Sequence, residues 1–163
     1  MTVAEYNSNA NHWADSAMRF AVRVCGSHAD SQDAVQDALL SLWEHRDAVE
    51  AARGLNYLFS ATYRRLATAF RRAAVERRHA VEAEPLRSVP PDSAFDLHEA
   101  IDTALQSLPE VQRAALQLRD VEGYSYREVA QTLNLSADQV QVYIFRARVA
   151  MRKKLKEMGY DKD

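Results

Sequence analysis

Pro85, Pro90 and Pro91 stand within EAEPLRSVPPDSAFD, residues 82–96, and no continuous helix runs through such a stretch. Each proline lacks the amide proton a helix uses, and its ring collides with the preceding turn. On either side apolar residues recur with helical period. The chain therefore reads as two helical parts, 1–80 and 97–163, joined by an acidic Pro-containing connector at 81–96. Only 4 Gly occur among 163 residues, too few for a turn-rich β architecture, while Ala, Leu, Arg, Glu and Gln, which lose little in a helix, dominate. The expectation is all-α: two small helical domains on a flexible linker, the C-terminal one a helix-turn-helix.

In the first part, Trp13, Ala17, Phe20, Ala21 and Val24 share one helical face, and Gly26 supplies a stop. A second helix places Val35, Ala38, Leu39, Leu42 and Trp43 on one stripe and turns Asp33, Gln36, Asp37, Ser41 and Glu44 away from it. RDAVEAARG, residues 46–54, reads as a connecting loop with room for a helical turn. A long helix follows from Leu55 to Arg78. In it Arg64, Arg71 and Arg78 repeat every seventh residue, as do Arg65 and Arg72, which draws two adjacent cationic stripes along one side. Phe59, Tyr63 and Phe70 run beside them. Cations that track a phosphate backbone, with aromatics to stack unpaired bases, are what single-stranded nucleic acid needs. Phe59 and Phe70 fit a core equally well.

The second part begins with Leu97, Ile101, Ala104, Leu105 and Leu108 on one face. Ser107–Glu110, Ser125–Glu128 and Ser136–Gln139 each have the spacing of a capping box, and Pro109 agrees with a helix start. Tyr126 to Leu133 and Ala137 to Glu157 then form a helix pair. Val129, Leu133, Leu135, Val140, Ile144 and Ala147 point inward, small Ala130 lies where the helices cross, and Asn134 accepts the left-handed turn. Gln139, Gln141, Tyr143, Phe145 and Arg146 point outward, followed by Arg148, Arg152, Lys153, Lys154 and Lys156. Gln and Arg suit base edges, and the later cations suit phosphates. An αα-hairpin with a solvated basic end has the same pattern.

The net charge of −2 conceals segregation: residues 1–50 carry −5, 51–80 carry +6, 81–110 carry −6 and 111–163 carry +3. Catalysis finds no support. The histidines show no metal-ligand spacing, Cys25 has no second cysteine, and neither a Gly-rich phosphate loop nor a nucleophile elbow is present. No catalytic residue, metal or cofactor is expected. Cys25 reads as buried filler in a reducing compartment. With no run of about 18 apolar residues, a cytoplasmic chain without membrane insertion is expected.

DSQDAVQDALLSLWEHRD (30–47), YLFSATYRRLATAFRR (57–72) and the segment from Leu105 to Leu155, in this order, resemble a bacterial sigma-70-family factor of the small extracytoplasmic-function type. The resemblance implies an alternative sigma factor, not an enzyme, with RNA polymerase core and promoter DNA as partners. Asp33, Gln36, Asp37 and Leu40 match positions that meet the clamp coiled coil of the β′ subunit, and the β flap is a further implied contact. Loop 46–55 matches the pocket for a flipped base of the −10 element. Tyr63, Arg64, Arg65, Arg71 and Arg72 are the implied contacts to the melted −10 strand. Gln139, Gln141, Val142, Tyr143, Phe145, Arg146 and Arg148 are those to the double-stranded −35 element. An anti-sigma factor is a further implied partner. Glu82, Glu84 and Asp92 of the linker are candidates for imitating RNA phosphates. Tyr63 and Arg64 replace the family's common Arg-Asn pair, Thr68 stands for a usual Asp, and Gln141, Val142 and Tyr143 fill positions often held by Lys or Arg, Ser and Arg. The promoter sequence is thus not transferable from a relative. A stand-alone helix-turn-helix regulator is the alternative, and it leaves the clamp-like helix and arginine stripe without a role.

Overall fold

The computed structural model describes residues 1–79 and 96–160, which form seven α-helices: α1 (Val3–Cys25), α2 (His28–Glu44), α3 (Gly54–His79), α4 (Leu97–Gln106), α5 (Glu110–Leu116), α6 (Tyr126–Leu133) and α7 (Ala137–Glu157). The all-α expectation holds. Most of linker 81–96, with Glu82, Glu84 and Asp92, lies outside the described residues; Asp96 closes it as the N-cap of α4.

Helix boundaries follow local chemistry. The Thr2 side chain accepts from the Glu5 amide while Glu5 reaches back to Thr2, a capping box that starts α1 well before the apolar stripe at Trp13. Gly26 ends the helix in the left-handed region at φ 72°, its N–H donating to Val22 O. Ser27 then caps α2. Segment 46–54 holds two 3₁₀ turns, Arg46–Ala48 and Ala51–Arg53. The boxes at Ser125 and Ser136 form as expected, and Asn134 takes φ 55°, ψ 52° between α6 and α7. The box expected at Ser107 does not form. There Pro109 is the N-cap of α5 without a side-chain bond, while Ser107 ends α4 and its hydroxyl donates to Ala104 O. The α4–α5 connection is too short to leave Ser107 outside the preceding helix.

α1, α2 and α3 pack around Trp13, Phe20, Val24, Leu42, Leu58, Phe59 and Leu66, with Phe20 and Phe59 edge-to-face at 5.2 Å. α3 begins at a glycine because a Cβ on residue 54 would lie 2.3 Å from the Trp13 ring. α4 to α7 pack around smaller residues: Ala100, Ala104, Leu105, Val129, Val140, Ile144 and Ala147. The two groups are not separate bodies. α4 and α5 lie on α1, α6 lies on α3, and one buried cluster runs from Trp13 and Phe20 through Leu118 and Val129 to Ile144.

Candidate nucleic-acid interface

α2 turns its polar face outward because Ala34, Val35, Ala38 and Leu42 take the inward positions. Asp33, Gln36 and Asp37 are exposed, and Leu40 is 57% exposed among them, an apolar side chain on an acidic surface. Trp43, assigned to the core stripe, is only half-buried: Tyr6 packs edge-on at 5.1 Å and the Arg46 guanidinium sits 4.0 Å over its ring.

On α3, Arg64, Arg65, Arg71, Arg72 and Arg78 all face solvent, so the sequence-read track is real as a surface. Arg65 donates to Asp37 at 3.1 Å and so joins the acidic face of α2 to the cationic side of α3. Both side chains are about half exposed, and such a pair contributes roughly 0–1 kcal/mol. Phe59 is fully buried and unavailable for stacking, and Phe70 is half-buried. Tyr63 is partly covered. Its hydroxyl is pushed up to about 12, by burial first and then by nearby Glu110 and Tyr143.

Beside α3 opens a pocket of about 710 Å³. Glu50, Arg53 and Asn56 line one side, from the 3₁₀ segment and the start of α3; Glu128, Gln131 and Thr132 of α6 line the other. Loop 46–55 does border a pocket, and its far wall comes from the helix-turn-helix.

α7 exposes Gln139, Gln141, Val142, Phe145, Arg146 and Arg148, while Tyr143 is half-buried. Phe145 is 69% exposed with Val142 and Val149 beside it, an apolar strip flanked by cations. Two of the expected readers are already engaged. The Gln139 side-chain Oε1 accepts from Ser136 N–H at 3.0 Å, and Arg148 donates to Asp120 at 2.6 Å, which holds the guanidinium above its ordinary value. Gln141, Val142, Phe145 and Arg146 remain presented.

A further cluster had no sequence signal. A π-helical turn, Gln117–Val121, followed by Gly123 at φ 73°, swings Tyr124 back toward the first half. Its ring meets Phe59 at 5.8 Å, and its hydroxyl donates to Asn56 Oδ1 across 68 residues of sequence. Burial, then Glu122 and Glu128, raise that hydroxyl above its usual range. Gln106 Nε2 donates to Arg23 O at 2.9 Å. Arg113, only 9% exposed, donates to Gln106 O at 3.2 Å and lies over the Phe70 ring at 5.8 Å. Burial pulls its guanidinium below the ordinary value, partly offset by Glu110. Nothing local in the sequence separates Arg113 from the exposed arginines.

Among the described residues no cluster of three or more His, Cys, Asp or Glu could hold a metal, and no helix is long and apolar enough to cross a membrane. Cys25 is half-buried, its thiol against Ser27 O and Ser31 Oγ.

Comparison with known proteins adds the following. Residues 10–75 match the family model for sigma-70 region 2, and residues 98–151 match that for sigma-70 region 4. The chain is 28% identical over 146 residues to the ECF RNA polymerase sigma factor SigE of Mycolicibacterium smegmatis, covering 85% of this chain and 57% of that protein, little more than half its length. It is 28% identical over 148 residues to SigL of Mycobacterium tuberculosis, covering 86% and 83%. To EcfG of Rhodopseudomonas palustris it is 29% identical over 141 residues, covering 82% and 75%. In fold it is similar to the sigma factor RpoE of Bartonella quintana, solved in complex with the anti-sigma factor NepR, with a TM-score of 0.79 over 98% of this chain and all of that one at 22% identity.

Proposed function

The chain belongs to the sigma-70 family, in the extracytoplasmic-function class of alternative sigma factors that direct transcription initiation, and on that premise we propose how its two halves divide the work. Residues 1–80 form the half that binds core polymerase and the −10 element, 81–96 connect, and 97–163 form the half that reads the −35 element. Asp33, Gln36, Asp37 and Leu40 dock on the β′ clamp coiled coil, Leu40 supplying apolar contact within an acidic face. The second half contacts the β flap. Tyr63, Arg64, Arg65, Arg71 and Arg72 hold the melted strand: the cations neutralise phosphates and Tyr63 stacks on a base. Gln141, Val142, Phe145 and Arg146 enter the major groove, where Arg and Gln read base edges and the apolar pair suits thymine methyls. Gln139, Tyr143 and Arg148 flank them. The work is binding; no step needs covalent chemistry. An anti-sigma partner, as RpoE has in NepR, is part of the reading.

The observation that carries the proposal is the solvent-facing arginine track on α3, cations held along one side with a single carboxylate partner among the described residues, Asp37 on Arg65. A stand-alone regulator is not favoured, since it gives neither that track nor the region 2 match a use.

Run-off transcription from a cognate promoter should require both this protein and core enzyme; no binding to core at low salt would sink the reading. Asp37→Arg should lower core affinity about tenfold, or ~1.4 kcal/mol, with helical content unchanged. Arg146→Ala should cost about 1–3 kcal/mol through the −35 element. An equal loss on promoters lacking that element would reassign Arg146.

A further inference from the structure

We propose that Arg148 does not read the −35 element but is a positioning residue, and that Asp120, which has no part in the contacts proposed above, works through it. The pair sets how α7 leans on the turn before α6, and so how the readers ahead of it enter the groove. What the pair positions rests on the two-element reading above; the pairing itself does not.

Place on the helix comes first. Arg148 stands seven residues after Gln141, two turns along α7. Val140, Ile144 and Ala147 form the buried stripe, and Arg148 borders it. Val142, Arg146 and Val149 are turned to the opposite side, farthest from the core. An arginine at the edge of the buried stripe faces the neighbouring elements of its own half.

Those elements supply a carboxylate. Gln117–Val121 is a π-helical turn at the end of α5, and such a turn re-aims the side chains it carries. Asp120 on that turn meets Arg148 across 28 residues of sequence: Nη2 donates to Oδ1 at 2.6 Å and Nε to Oδ2 at 3.4 Å. Both carboxylate oxygens are thus taken by one guanidinium, the two-pronged geometry that fixes orientation as well as distance. Tyr126, the first residue of α6, is a further hydrogen-bond neighbour of Arg148. The Arg119 guanidinium lies 4.7 Å over the Tyr126 ring and donates to Tyr124 O at 2.8 Å. The cluster therefore touches the end of α5, the start of α6 and the middle of α7, whose mutual angles a helix-turn-helix has to fix.

Charge argues the same way. A guanidinium closed on a carboxylate has its fork occupied, and taking a phosphate or a guanine would require it to leave Asp120. If the pair stayed together, Asp120 would stand beside the phosphates and repel them. Arg146 differs: it is exposed and has no carboxylate partner among the described residues. The side chains of Arg148 and Asp120 are 45% and 43% exposed, so water screens the pair in part and its loss should change binding by a small factor.

The test uses the full chain bound to core polymerase and a library of duplex DNA randomised across the −35 position. The duplex that the wild type enriches then serves as the probe for affinity at several salt concentrations, and circular dichroism shows that each variant folds. Asp120→Ala and Arg148→Ala should each weaken binding about threefold and lower enrichment across the whole site. Both should leave the slope of log affinity against log salt unchanged. The double substitution should lose no more than either one. Swapping the charges, Asp120→Arg with Arg148→Asp, should recover most of the loss. A slope about one unit shallower in Arg148→Ala, the mark of a lost phosphate contact, would overturn the proposal. So would preference lost at a single base pair in that variant alone, tighter binding in Asp120→Ala, or a swapped pair that recovers nothing. If the wild type enriches no sequence, the two-element reading fails, and amide exchange alone decides the brace. Faster exchange in 117–121 and α7 in both single variants, reversed by the swap, keeps it; unchanged exchange overturns it.

Discussion

The two halves reach order by different routes. α1 to α3 are long helices that bury Trp13, Phe20 and Phe59, aromatics that each remove about 150–250 Å² from water. α4 to α6 are short, and their half buries alanines at 100, 104, 114, 115, 130 and 147. Beside them lie Leu105, Leu108, Leu116, Leu118, Leu133 and Ile144, aliphatic side chains that each contribute about 1.5–3 kcal/mol on burial and take less room than the aromatics of the first half. Both halves use caps; the second adds the left-handed Asn134 between its last two helices and docking against the first. On the proposed reading, a half that enters the major groove needs its two helices held at a fixed angle, and caps and turns fix angles.

Substitutions on either side of the seam test that contrast. Ile144→Ala deletes a large, fully buried side chain of the second half and should cost about 2–5 kcal/mol in denaturant unfolding. Because Ile144 shares a cluster with the first half, the loss should appear in one cooperative transition. Two resolved transitions would show the halves unfolding independently. Gly54→Ala overpacks the first half against Trp13 and should cost about 1–3 kcal/mol, with a change in tryptophan fluorescence. Unchanged fluorescence would mean that α3 shifts as a whole to make room. Ser136→Ala removes only a cap and should cost about 1 kcal/mol. Amide exchange should speed up in the first turn of α7, while α1 to α3 stay protected. A larger loss there than from Gly54→Ala would reverse the ranking of caps and core drawn above.

Much of the fold was legible from short stretches. Gly26, the boxes at Ser125 and Ser136, Asn134 and the inward stripe of α7 stand where their spacing put them. Thr2 and Glu5 carried the same box signal at the start of α1, ahead of the apolar stripe that drew attention to Trp13. Ser107 shows the limit of such patterns. Its spacing to Glu110 fits a cap, yet whether the residue lies outside a helix depends on where the previous helix stops. The arginine track on α3 and the acidic face of α2 were likewise legible, since a heptad repeat fixes a face whatever packs behind it.

The sequence by itself determined which stretches are helical, where they begin and end, and which faces carry charge. The reason is that helix hydrogen bonds, caps and side-chain stripes join residues at most a few positions apart. The tertiary structure decided which of two similar residues is buried. Phe59 lies in the core while Phe145 stands in solvent, and Arg113 is enclosed while Arg146 is presented. It also placed Tyr124 on Asn56, 68 residues away. Burial is set by whichever element arrives from elsewhere in the chain, and no local period encodes that arrival.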